Sequence, residues 1–192
     1  MRFKGALLGV LWPLNSGYNA PGGVVIGAAA AFEVTSPEIA PGATISNKQV
    51  FNGFGCKGDN ISPALNWTNA PAGTKSFAVM IHDPDAPTGG AGFWHWIVAN
   101  IPATTMGLPA GTNGKGKGLP KGVTQVNTDF GAPGYGGPCP PVGDAAHHYN
   151  ITVYALKVDK LDLPKNATAS LAGFMINGNS IGKATLTGLY GR

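Results

Sequence analysis

Six residues carry the most concentrated acid–base chemistry in this chain. His82, Asp83, Asp85 and His95 fall within "HDPDAPTGGAGFWHW", and His147 and His148 open "HHYNITVYAL" further on. The whole sequence holds only nine acidic residues and four histidines, so their gathering beside aromatic and apolar neighbours needs a reason. Aspartate and histidine can ligate zinc or iron or exchange protons as general acid and base. As imidazolium beside backbone N–H groups, histidine can also hold an anion. Taken singly, each residue has a plainer role. "DPDAP" is a turn formula in which aspartates bond nearby backbone N–H groups, and a histidine in an aromatic strand is commonly a hydrogen-bonded core residue. Neither H-x-H nor H-E-x-x-H occurs, so no metal site and no cofactor is expected.

Two other strings imitate catalytic motifs and fail on context. "GNSIG" (178–182) matches G-x-S-x-G, but that elbow runs from strand to helix, whereas here a helical pattern precedes and a strand follows. Gly178 reads instead as the end of the helix. "GTNGKGKG" (111–118) approaches a phosphate-binding loop but places Gly118 where a Ser or Thr would meet magnesium. Cys56 and Cys139 are too few for a disulfide scaffold or a zinc site. An exported protein would join them, and a cytosolic one would keep two packed thiols.

Strand ends must bring the candidates together. "KSFAVMIHDP" (75–84) alternates Phe77, Val79 and Ile81 against Ala78 and Met80, predicting a strand covered on both faces. "FWHWIVANIP" (93–102) is a second such strand. "HHYNITVYALKV" (147–158) is a third, with Tyr149, Ile151, Val153 and Ala155 on one face. Asp83 and Asp85 end the first strand, His95 begins the second and His147 the third. If the three adjoin, their ends enclose one pocket, with the Gly/Pro loop "YGGPCPPVG" beside it and Trp94 or Trp96 as an apolar or cation–π wall. An alternating strand running into a turn is expected within 44–55, a short strand within 61–71, and a closing one over 183–192. One helix is expected over Ala169–Asn177, capped by Asn166 or Thr168. The tract 108–122 reads as a loop.

The chain of 192 residues suits one domain over 32–192. Thirty Gly and sixteen Pro punctuating apolar runs point to a mainly β fold. Charged residues make up 11%, against about 25% in ordinary proteins. A net charge of +4 without a basic stripe excludes nucleic acid as a partner. Residues 1–31 read as a signal peptide or unordered leader. Arg2 and Lys4 precede "GALLGVLWPL", and small residues near Ala29–Ala31 offer cleavage sites. That predicts a periplasmic or secreted protein, with a cytoplasmic one as the alternative. No run is long enough to be a transmembrane segment.

Several separated blocks together resemble the phosphatidylethanolamine-binding protein family, in particular its bacterial Raf-kinase-inhibitor-like branch. They are "FNGFGCKGDNISPALNW", "DPDAP", "FWHWIVANIP", "GYGGPCPP", "HHYNITVYAL" and "LTGLYGR", which span about Phe32 to Arg192. The resemblance implies a large antiparallel sheet, a smaller sheet and a few short helices. It also implies a cavity for phosphate-like anions and phospholipid head groups, with ligand-binding residues at Asp83, Asp85, His95, Gly137, Pro138, His147 and Tyr149. His148 stands where that family commonly carries Arg. The function expected is non-enzymatic binding of a small anionic ligand or phospholipid head group, with modulation or inhibition of a protein target as its output. The alternatives are an Asp/His-based hydrolase and an interaction module acting through surface loops.

Overall fold

The computed structural model describes residues 30–192. The leader read in residues 1–31 therefore lies outside the described residues, apart from Ala30 and Ala31. Ten strands and one helix follow in order: β1 (Glu33–Thr35), β2 (Asn52–Gly53), β3 (Cys56–Lys57), β4 (Leu65–Thr68), β5 (Ser76–Asp83), β6 (Phe93–Pro102), β7 (Gly107–Leu108), β8 (Thr124–Gln125), β9 (His147–Leu156), α1 (Ala169–Asn179) and β10 (Ser180–Tyr190). The large sheet runs β10-β9-β5-β6-β8, with every neighbouring pair antiparallel. A three-stranded sheet, β1-β4-β7, and the hairpin β2-β3 complete the architecture. The fold is mainly β.

Strand β5 sits at the middle of the large sheet, and its alternation sorts its side chains into two cores. Phe77, Val79 and Ile81 join Trp96, Val98, Ile151 and Val153 on one face, packed against Leu65, Trp67 and Leu108 of the small sheet. Ala78 and Met80 join Ile97, Ala99 and Leu156 on the other, covered by Ala172 and Ile176 of α1. An antiparallel sheet often leaves one face to water. This one does not, which explains the nearly continuous apolar runs in β5, β6 and β9.

Helix α1 starts where Thr168 accepts a hydrogen bond from the Leu171 N–H at 3.2 Å. It does not stop at Gly178: it continues to Asn179, with Ser180 as its C-cap, and passes straight into β10. The strand expected over 44–55 is also corrected. Only a bridge at Thr44 and the two residues of β2 pair, while Gln49 N bonds Ser46 O and Val50 N bonds Asn47 O. Successive backbone turns take up these groups in place of a ladder, and the Ser46 hydroxyl, donating to Gln49 Oε1 at 2.7 Å, ties the first of them across its ends.

Both-sided burial makes the central strand intolerant of truncation on either face. Phe77→Ala is expected to cost about 3–5 kcal/mol and Met80→Ala about 2–5 kcal/mol. Chemical denaturation of each variant against the parent checks this, and a loss confined to Phe77 would contradict the two-faced core.

Candidate functional site

Because β5 lies between β6 and β9 and runs antiparallel to both, its C-terminal end meets their N-terminal ends. Asp83 is the last residue of β5, His95 the third of β6, and His147 and Tyr149 the first and third of β9. The β5–β6 register slips at this point: Ile81 faces Trp96, but His82 faces Trp94, leaving His95 as an extra residue. Such a bulge re-aims one side chain out of the regular ladder. The His95 ring turns to the Gly/Pro loop, where Nδ1 donates to Gly136 O at 2.7 Å and Gly136 N returns a bond to His95 O at 2.9 Å.

The Asp83 carboxylate is buried, with both oxygens hydrogen-bonded. Oδ1 accepts from the N–H groups of Asp85 at 2.9 Å and Ala86 at 3.1 Å, while Oδ2 accepts from His147 Nδ1 at 2.7 Å. The other His147 nitrogen, Nε2, lies 3.3 Å from Asp144 Oδ2. An ionised carboxylate only accepts, and a neutral imidazole has only one N–H. Two carboxylates facing the two nitrogens therefore favour the imidazolium. Burial opposes that charge, but the bond and the negative charge of Asp83, helped by Asp144, outweigh it and raise the His147 pKa above its usual value.

His95 has the opposite balance. Burial dominates and lowers its pKa to about 4, with the Gly136 carbonyl and the Asp83 charge only partly compensating. It is neutral at pH 7. With the proton on Nδ1, its Nε2 is an acceptor. The Tyr149 hydroxyl is buried near the Asp83 carboxylate, and among the described residues it has no partner at hydrogen-bonding distance. Burial first and the Asp83 charge second push its pKa up, so it keeps its proton.

Asp83, His95, His147 and Tyr149 together line a cavity of about 150 Å³. Apart from Thr88, its remaining wall is apolar. Phe54, Phe93 and Phe130 contribute, with the Phe93 and Phe130 rings 4.9 Å apart edge to face and Phe54 stacked on Phe130 at 5.9 Å. Asp85 stands apart from this lining: its carboxylate accepts from His148 N at 2.7 Å and from His148 Nδ1 at 2.8 Å. The His148 backbone bond, ahead of the side-chain bond, lowers the Asp85 pKa. His148 is thus occupied at the surface, and His82, whose ring meets Trp94 at 4.1 Å, does not line the cavity.

The tryptophan wall expected from sequence is corrected. Trp96 is fully buried in the core and donates to Gln125 Oε1, and neither it nor Trp94 lines the cavity. Alternation in β6 explains this, because the bulged His95 takes the cavity side between them. Gly137 and Pro138 lie behind the cavity wall. The Gly137 N–H is held by Asn60 Oδ1 at 2.8 Å, and Pro138 borders a void of about 10 Å³ beside His95 and Tyr149. Sequence reasoning missed Asn60 and the three phenylalanines. The signal for Phe54 and Asn60 was their place in "FNGFGCKGDN"; nothing local marks Phe130.

Cys56 and Cys139 form a disulfide with a Cα separation of 6.0 Å. It ties the Phe54-bearing hairpin to the loop that carries Gly137, and Cys139 itself borders the cavity.

A buried Asp–His pair at the shared end of three antiparallel strands defines a β-sheet domain with a strand-end pocket. A profile of the family described as phosphatidylethanolamine-binding protein matches residues 35–191, and the chain belongs to that family. The chain is 51% identical to YbcL of Escherichia coli over 163 residues, covering 84% of this chain and 88% of YbcL. YbhB of the same organism is 44% identical over 82% of this chain and 99% of its own length. LppC of Mycobacterium tuberculosis, named as a lipoprotein, is 39% identical over 85% of this chain and 74% of its own. The crystal structure of YbcL, described as a member of the mammalian PEBP family, superposes with a TM-score of 0.82 at 49% identity, covering 85% of this chain and 99% of that one.

The two histidines should titrate in opposite directions. Histidine NMR is expected to place the His147 pKa above 6.5 and that of His95 near 4. The His147 contribution to stability is complete below the unfolded value of about 6.5 and is lost as pH rises through its folded pKa. The His95 contribution, on the order of 3 kcal/mol, is complete above about 6.5 and is lost as pH falls towards 4. Similar pKa values for both would contradict the assignment.

Gly137 tests the packing behind the pocket. A Cβ there would stand 1.9 Å from Gln49 O and 2.7 Å from Phe51 N, both backbone atoms that cannot swing aside. Gly137→Ala is expected to lower stability by at least about 1–3 kcal/mol, measured as a fall in the denaturation midpoint.

Proposed function

We propose that the chain is a non-enzymatic binding protein for a small ligand with a phosphate-type anionic head, either free or as a phospholipid head group. The observation that carries this reading is the buried His147 on the wall of an otherwise largely apolar cavity, each ring nitrogen facing a carboxylate, an arrangement that raises its pKa and favours the imidazolium. Tyr149 adds a neutral hydroxyl donor that, among the described residues, has no partner at hydrogen-bonding distance. Neutral His95 offers an acceptor at Nε2, which favours a head group that keeps one P–OH proton. The volume also matters. A cavity of about 150 Å³ suits a head group, well below the roughly 300–1,000 Å³ of pockets that engulf a drug-sized molecule. The phenylalanines at the mouth leave an apolar surface for whatever the head group carries. The name of the family accords with such a ligand.

Two observations weigh against a hydrolase. The Cys139 sulfur at the cavity is bonded to Cys56 and is no nucleophile. A histidine with a pKa of about 4 is a weak base at pH 7. Among the described residues no helix is long and apolar enough to cross a membrane. The disulfide and the lipoprotein relative LppC favour a place outside the cytoplasm, and modulation of a protein partner there is the proposed output.

Titration calorimetry with inorganic phosphate and phosphoethanolamine tests the reading. Binding is expected to weaken as pH rises through the His147 pKa. It should also fall about tenfold or more in His147→Gln, the usual worth of a hydrogen bond to a charged group. Absence of binding to the parent protein by either ligand would defeat the proposal.

A further inference from the structure

His147 has two N–H groups and two carboxylates, and the two contacts are unlike. Asp83 holds Nδ1 at 2.7 Å, with side chains only 5% and 4% exposed, and its carboxylate is fixed by two further backbone N–H groups. Asp144 meets Nε2 at 3.3 Å, with a side chain 41% exposed on the loop leading into β9. Among the described residues its carboxylate has no other hydrogen-bond partner. One contact is built into the fold, and the other is long, solvated and singly held.

An anion that reaches this imidazolium finds Nδ1–H already committed, so Nε2–H is the donor left to compete for. We infer that Asp144 is a built-in competitor for the ligand: its carboxylate occupies the His147 donor that a bound anion takes, and so sets the affinity and the charge selectivity of the site. The inference rests on the anion-binding reading above. The charge arithmetic supports it. Asp83, Asp85 and Asp144 are the acidic groups bearing on His147, and His95 and Tyr149, its neighbours on the cavity wall, are uncharged at pH 7. With Asp83 balancing the imidazolium, Asp144 and Asp85 leave this end of the site negative, and an anion gains the Nε2–H only when Asp144 moves aside. A ligand with stronger acceptor oxygens than a carboxylate's gains most from the exchange, which selects phosphate-type anions over simple carboxylates.

The test is calorimetry of inorganic phosphate into the full chain, comparing the parent with Asp144→Asn and Asp144→Ala, together with the His147 pKa by NMR. Both variants are expected to bind phosphate about two- to fivefold more tightly, the size of a partly exposed charge pair. Their His147 pKa is expected to fall. Binding detected only in the variants would support the inference just as directly. If all three proteins bind alike, or the variants bind more weakly, the competitor role is wrong while anion binding stands. An unchanged His147 pKa would overturn it as well. No phosphate binding by any of the three would overturn both.

Discussion

Everything at this pocket depends on one buried carboxylate. Asp83 closes the central strand of the large sheet, where burying a charge is tolerable only if its oxygens find donors. Two donors come from its own chain, the N–H groups of Asp85 and Ala86, so the carboxylate also shapes the turn that leaves β5. The third comes from His147, at the start of the neighbouring strand. Strand end, turn and imidazolium are thereby one hydrogen-bonded unit. Removing the carboxylate would strand a buried positive charge, and removing the histidine would strand a negative one.

Topology then supplies the rest of the wall. Antiparallel order places the entrance of β6 and the entrance of β9 beside the exit of β5, so residues 83, 95 and 147 need no long-range device to meet. One irregularity refines this, the bulge that lifts His95 from the ladder and hands its ring to Gly136. The loop carrying Gly136 and Gly137 is in turn positioned by Asn60, whose carbonyl oxygen takes the Gly137 N–H, and by the disulfide to Cys56. A glycine is required at 137 because the loop crosses the 49–51 backbone too closely for any side chain. The result is a pair of histidines a few residues of sheet apart with opposite pKa shifts. Burial lowers the pKa of one, and in the other a carboxylate outweighs burial and raises it.

Much of this was legible in the sequence, and the parts that were not share a cause. Period-two alternation in 75–84, 93–102 and 147–158 identified the three strands that matter, and both-sided apolarity in Phe77–Ile81 anticipated the two cores. From there Asp83, His95 and His147 followed as strand-end residues. What alternation could not supply was a register shift. Without the bulge at His95, alternation places Trp94 and Trp96 equally to wall the pocket, yet Trp96 lies in the core and the Trp94 ring packs against His82. Residues brought in by loops were hidden for another reason. Phe54, Phe130 and Asn60 are remote in sequence from the histidines, and their roles come only from how turns pack. The strand expected over 44–55 failed because Ser46 and its neighbours satisfy the backbone locally. Asp144 drew no notice as one acidic residue in a Gly/Pro-rich turn.

The central claim is that a buried imidazolium, fixed by Asp83, is the charge around which this cavity receives an anion. A crystal structure of the full chain grown or soaked with phosphoethanolamine tests it most directly. The account predicts a tetrahedral group in the cavity bonded to His147 Nε2 and the Tyr149 hydroxyl, with Asp144 turned away and the Asp83–His147 bond unchanged. An empty cavity at saturating ligand, with His147 still bonded to both carboxylates, would contradict it.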